Sequence, residues 1–111
     1  MSSDMMLDYI GILLDTDKAT DMNFNVNLFL TDTGEKYLLR VRSGVLLYQK
    51  DAEAEKPDAV WRTPKEGLFT IISNDKEMQA KVIKQEGDKD LLKRFADAVS
   101  VNEQFFPIIE P

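Results

Sequence analysis

The stretch that decides the fold is residues 23–50, NFNVNLFLTDTGEKYLLRVRSGVLLYQK. Its first part alternates: Phe24, Val26, Leu28 and Leu30 are interleaved with Asn23, Asn25, Asn27, Phe29 and Thr31. A period of two puts one set on each side of a pleated strand, so a strand with one apolar and one mostly polar face is expected over Asn23–Thr31. Asp32-Thr33-Gly34-Glu35 supplies a turn. Lys36–Arg42 is the second expected strand, with Tyr37, Leu39 and Val41 on one face and Lys36, Leu38, Arg40 and Arg42 on the other. Ser43-Gly44 is a two-residue hairpin signal, and Val45–Lys50 is the third strand. Together they make a meander of three antiparallel strands.

Toward the N-terminus, Ser3–Asp15 predicts a helix. Asp4, Asp8, Gly11 and Asp15 fall on one stripe, and nearly everything else is apolar. That arc is wider than a one-sided surface helix needs, so this helix is either wedged between layers or has one side turned toward a partner or a cavity. The acidic run Asp15 to Asp21 is expected as a solvated turn. It has Ala19, Thr20 and Val26 where a calcium loop needs a ligand, a glycine and a glutamate.

Toward the C-terminus, Asp51–Lys56 is a charged loop, and Pro57 opens a fourth strand over Asp58–Arg62 with Ala59 and Trp61 on one face. Thr63-Pro64-Lys65-Glu66 has the form of a capping box, with Thr63 reaching the amide of Glu66 and proline in the first turn. The helix it opens carries Leu68, Phe69, Ile71 and Ile72, and Ser73-Asn74 ends it. Asn74 and Glu77 are then expected to cap a short turn holding Met78. Lys81–Glu86 is the expected fifth strand, and Gly87-Asp88 leads into a last helix with Leu91, Leu92, Phe95, Ala96 and Val99 at helical spacing. The apolar stretch Phe105-Phe106-Pro107-Ile108-Ile109 is expected to dock on the body. The class is α+β: a five-stranded, mostly antiparallel sheet covered by helices, in a single domain over 1–111.

Composition narrows the function. The chain has no cysteine and no histidine, which removes disulfides, thiolate and Ser-His-Asp catalysis, and the commonest zinc ligands. No phosphate-binding glycine loop occurs. The net charge of −6 repels phosphate backbones, so nucleic acid is not an expected partner. No segment approaches a membrane span, no basic leader opens the chain, and a cytoplasmic protein is expected. No cofactor or metal is expected; Asp15, Asp17 and Asp21, and Asp88 with Asp90, read as solvated surface. Lys36, Arg40 and Arg42 form a basic row that could receive a sulfate or carboxylate, but a solvated strand face paired with acids is the expected reading. Leu68, Phe69, Ile72 and Met78 lie on short helices that must fold back over the sheet, and gaps under such helices are natural ligand cavities.

This order of elements resembles the sterol-carrier-protein fold, and more closely the C-terminal domain of alkyl sulfatases. The matching pieces are Leu30-Thr31-Asp32-Thr33-Gly34-Glu35-Lys36-Tyr37, Ser43-Gly44-Val45-Leu46, Thr63 with its helix, Gly87-Asp88, and the run Phe105–Pro111. The resemblance implies an apolar lipid-binding tunnel between sheet and helices. It also implies binding of an alkyl chain that is handed to a catalytic partner, whose zinc chemistry belongs to a separate histidine-rich domain. Two positions by the implied cavity depart from the family pattern: Gln85 stands where an apolar residue precedes the Gly-Asp pair, and Lys81 stands in place of glycine. The expected lining is Phe24, Leu28, Trp61, Leu68, Phe69, Ile72, Met78, Phe95 and Phe106, acting by desolvating a chain rather than by catalysis. The competing expectation is an interaction or homodimerisation module using the apolar face of the first helix.

Overall fold

A computed structural model describes residues 2–99, and in it the alternation of residues 23–50 produces the expected meander. β1 (Asn23–Leu30), β2 (Lys36–Arg42) and β3 (Val45–Lys50) are consecutive antiparallel neighbours. Ser43 and Gly44 turn the β2–β3 hairpin with φ of 52° and 80°. Glycine is required at 44 on two counts, because a Cβ there would also press on Thr16. β4 (Ala59–Thr63) lies on the other side of β1 and parallel to it, and β5 (Lys84–Gly87) pairs antiparallel with β4. The order is β3-β2-β1-β4-β5.

Reaching β4 from β3 requires a crossing. The charged loop 51–58, expected only as solvated connection, makes that crossing as a strap over the outer face of the sheet. Asn27 of β1 exchanges two hydrogen bonds with the backbone of Ala54, at 3.0 and 2.8 Å. Lys36 pairs with Glu53 at 2.8 Å, and the Asp58 carboxylate accepts the Asn25 amide at 2.8 Å. Beneath the strap, Asn27 and Leu38 are buried although they sit on the predicted wet face.

The inner face carries the core. Phe24, Val26, Leu28 and Leu30 meet Tyr37, Leu39 and Val41 across β1–β2, and Leu28 stands beside Trp61 across β1–β4. Helices cover this face. α1 (Ser3–Leu13) buries Met6, Leu7, Ile10 and Leu13 and leaves Met5, Tyr9 and Ile12 exposed. Its polar stripe points at β3, where Tyr48 donates to Asp8 at 2.6 Å. The Asp15–Asp21 run is not a simple turn: Asp15 accepts the amides of Asp17 and Lys18 and caps α2 (Thr16–Ala19), which buries Ala19.

The later helices follow the predicted order with shifted ends. Thr63 does not cap α3 (Glu66–Ser73): it belongs to β4, and its hydroxyl donates to the Pro64 carbonyl at 2.9 Å. The sheet claims Thr63 first, since its carbonyl accepts the Thr31 amide at 2.9 Å. Asn74 closes α3 in the left-handed conformation, and Asp75, not Asn74, caps α4 (Lys76–Val82) by accepting the Met78 amide at 3.1 Å. Lys81 and Val82 are therefore helical, and β5 starts three residues later than expected, at Lys84. The Val82-Ile83 pair reads as strand in sequence, but Ile83 is buried as the C-cap of α4. After Gly87, Asp88 accepts the Asp90 amide at 3.0 Å and leads into α5 (Asp90–Ala98). The expected docking of Phe105–Ile109 falls outside the described residues. No helix among the described residues is long and apolar enough to cross a membrane.

Candidate apolar-ligand site

The inner face of β4 and β1, under α3, α4 and α5, gathers most of the predicted lining. Phe24, Leu28, Trp61, Leu68, Ile72 and Phe95 are all buried in one cluster. Phe95 reaches down from α5, edge-on to Phe24 at 6.0 Å and tilted against Trp61 at 5.8 Å. Aromatic residues at those separations are in favourable contact, so this part is packed core. Phe69 on α3 and Met78 on α4 point outward, with 51% and 45% of their surface exposed. Phe106 lies outside the described residues.

The open space lies beside this cluster rather than within it. A cleft of about 200 Å³ opens between α4, β5 and α5, lined by Lys76, Gln79, Ala80, Gln85, Leu92 and Lys93. Its roof is thin, because α4 buries only Gln79. Gln79 is held by its amide nitrogen, which donates to the Thr70 carbonyl at 3.3 Å. At the mouth, Lys76 is paired with Asp97 at 2.7 Å. These residues were not expected as lining; the signals that pointed here were the two departures from the family pattern, Gln85, which lines the cleft, and Lys81, which lies on α4.

The predicted basic row does not form a joint anion site. Lys36 is taken by Glu53, and Arg42 donates to the Phe24 and Val41 carbonyls and to Asn25. Arg40 alone faces a shallow pocket of about 220 Å³ with Leu38, Leu47 and Gln49.

The family model described as alkyl sulfatase C-terminal matches residues 1–111. The chain belongs to that family. It is 26% identical over 115 residues to a linear primary-alkylsulfatase of Pseudomonas sp., a match that covers 100% of this chain and 17% of that protein. The structure superposes on a stereoselective inverting sec-alkylsulfatase of Pseudomonas sp. with a TM-score of 0.82 and 25% identity, covering 93% of this chain and 17% of that one. It also superposes on a palmitated sterol carrier protein 2 like 2 from Aedes aegypti, with a TM-score of 0.63 and 16% identity, covering 89% and 95% of the two chains. The last likeness is one of fold. This alkyl sulfatase C-terminal member thus has the sterol-carrier-like α+β architecture that its sequence suggested. The chain spans about a sixth of the length of the sulfatases it matches.

Proposed function

We propose that this chain binds aliphatic or lipid-like molecules between its sheet and helices without transforming them, and delivers an alkyl substrate to a catalytic partner. The observation that carries the reading is α4: seven residues that bury one side chain, roofing a cleft at the edge of an aromatic core. A cover held so lightly opens at small cost, and an entering alkyl chain gains roughly 0.8 kcal/mol per buried methylene. Parting α4 from the sheet extends the cleft toward Trp61, Phe95, Leu68 and Ile72, with Phe69 and Met78 as the exposed apolar rim. The absence of histidine and cysteine from the chain favours binding over catalysis.

An amide chemical-shift titration of the 111-residue chain with a dodecyl amphiphile, kept below micelle formation, tests this. Saturable shifts confined to residues 61–78 and β1 are expected, and Phe69→Asp, at an exposed position, abolishes them without unfolding the chain. Shifts that never saturate in the unmodified chain overturn the reading. A folded Phe69→Asp variant with unchanged affinity removes Phe69 from the site.

A second reading rests on a different observation: Met5, Tyr9 and Ile12 form an exposed apolar stripe on α1, with Ile12 76% exposed. On that reading α1 joins two copies. Size exclusion would show a dimer that Ile12→Glu dissociates; a monomer at high concentration eliminates it.

A further inference from the structure

Two polar atoms on the helix-covered face of the sheet are buried without a hydrogen-bond partner: the indole Nε1 of Trp61 and the side-chain Oε1 of Gln85. They are neighbours. Trp61 pairs with Gln85 across β4–β5, so both side chains leave the sheet on the same side. The residue following each of them points the other way, where Arg62 pairs with Glu86 and covers the Phe29 ring. Gln85 also lines the cleft under α4, whereas Trp61 is fully buried behind it, against Phe95. Neither atom is open to the cleft as it stands; parting α4 would uncover an unanswered donor on Trp61 and an unanswered acceptor on its cross-strand neighbour Gln85.

Buried polar groups are overwhelmingly paired, so an adjacent orphan donor and acceptor specify what is to be placed between them. We propose that the cleft takes an uncharged aliphatic alcohol, its hydroxyl accepting from Trp61 Nε1 and donating to Gln85 Oε1; this rests on the aliphatic-binding reading above. A hydroxyl is the smallest group that does both. An ionised carboxylate or sulfate only accepts. It would answer the indole, oppose the Gln85 oxygen, and lose its hydration between an indole and an amide. Of the two lysines that line the cleft, Lys76 is already engaged by Asp97. An ammonium only donates and leaves the indole unanswered. Leu92, Ala80 and the lysine stems supply apolar wall for the alkyl part.

The test uses octan-1-ol, its methyl ether 1-methoxyoctane, and octyl sulfate as probes on the 111-residue chain. Trp61 is the sole tryptophan, so a single indole N–H resonance reports its hydrogen bond. Octan-1-ol is expected to bind about tenfold tighter than the ether, which keeps the acceptor but loses the donor. It should also move the indole resonance downfield. In Gln85→Leu, at a half-buried position on an edge strand, the alcohol and the ether should bind alike while still binding. Equal affinities in the unmodified chain, or an indole resonance that does not move, overturn the hydroxyl assignment and leave the aliphatic reading standing. Octyl sulfate binding tightest also overturns it. Failure of all three probes removes the aliphatic reading and this inference with it.

Discussion

The Glu35 carboxylate accepts from Ser3 Oγ at 2.7 Å, from Thr33 Oγ1 at 2.8 Å and from Tyr37 at 3.2 Å, and pairs with Lys50 at 3.3 Å. These partners belong to α1, the β1–β2 turn, β2 and β3, so one side chain ties the first helix to the hairpin. The Ser3 and Thr33 hydrogen bonds foremost, then Lys50 and Tyr37, hold its pKa down from 4.5 to about 2. A folded-state pKa below the unfolded one means stability that is present above about pH 4.5 and lost as pH falls toward 2. Between those limits the melting temperature of the unmodified chain should fall more steeply than that of Glu35→Gln; parallel profiles would show that the network adds nothing. Two glycines make an opposite pair at the same scale. A Cβ at Gly67 would overlap Thr63 Oγ1 and crowd Ile83, so Gly67→Ala should cost about 1–3 kcal/mol, read by thermal melting. At Gly11 in α1 the added methyl meets only Leu46 at 3.8 Å, an ordinary contact, so Gly11→Ala should stabilise by up to about 1 kcal/mol.

On the proposed reading, α4 is the element whose behaviour decides function. Its N-cap is Asp75, and Asp75→Ala should cost about 1 kcal/mol of local stability. Because α4 buries so little, that loss should appear as faster amide exchange confined to Lys76–Val82, with β1 and β2 unchanged; acceleration across the whole sheet would mean that α4 is part of the global folding unit rather than a separate cover. The same element marks where sequence reading ran out. The strands were legible because Phe24, Val26, Leu28 and Leu30 alternate over a long run and a hairpin fixes their register. α4 was legible only as a short turn around Met78; its cap and its end were not, because Asn74 and Asp75 both cap helices, and only the backbone decides that Asn74 turns left-handed while Asp75 caps. Thr63 failed for a related reason: its local pattern announces a cap, and a long-range strand pairing overrides it. The strap over Asn27 and Leu38 left no periodic signal at all, since its hold comes from backbone atoms of Ala54 and one ion pair. At the candidate site, the aromatic cluster was legible as apolar residues on facing elements. The cleft was not, because most of its lining is polar and its position depends on where α4 ends.

Across the whole molecule, charge would set how a ligand of the proposed kind arrives. The chain carries −6 overall, while the cleft mouth offers Lys93 and an already paired Lys76. A single lysine about 5 Å from a sulfate contributes roughly 0.8 kcal/mol of attraction in water. Six net negative charges at about 15 Å oppose it by roughly 1.7 kcal/mol unscreened, which falls to roughly 0.4 kcal/mol once the screening length is about 10 Å. At low salt the distant acids win, and near physiological salt the two effects are comparable. Octyl sulfate should therefore bind more tightly as salt is raised from very low levels and then level off, while octan-1-ol, which carries no charge, should change little. Isothermal titration across that range, below micelle formation, checks it. An octyl sulfate affinity that falls steadily with added salt would mean that the local lysines outweigh the global field. The natural ligand would then be an anion held at the mouth of the cleft, not a neutral chain held at its inner end.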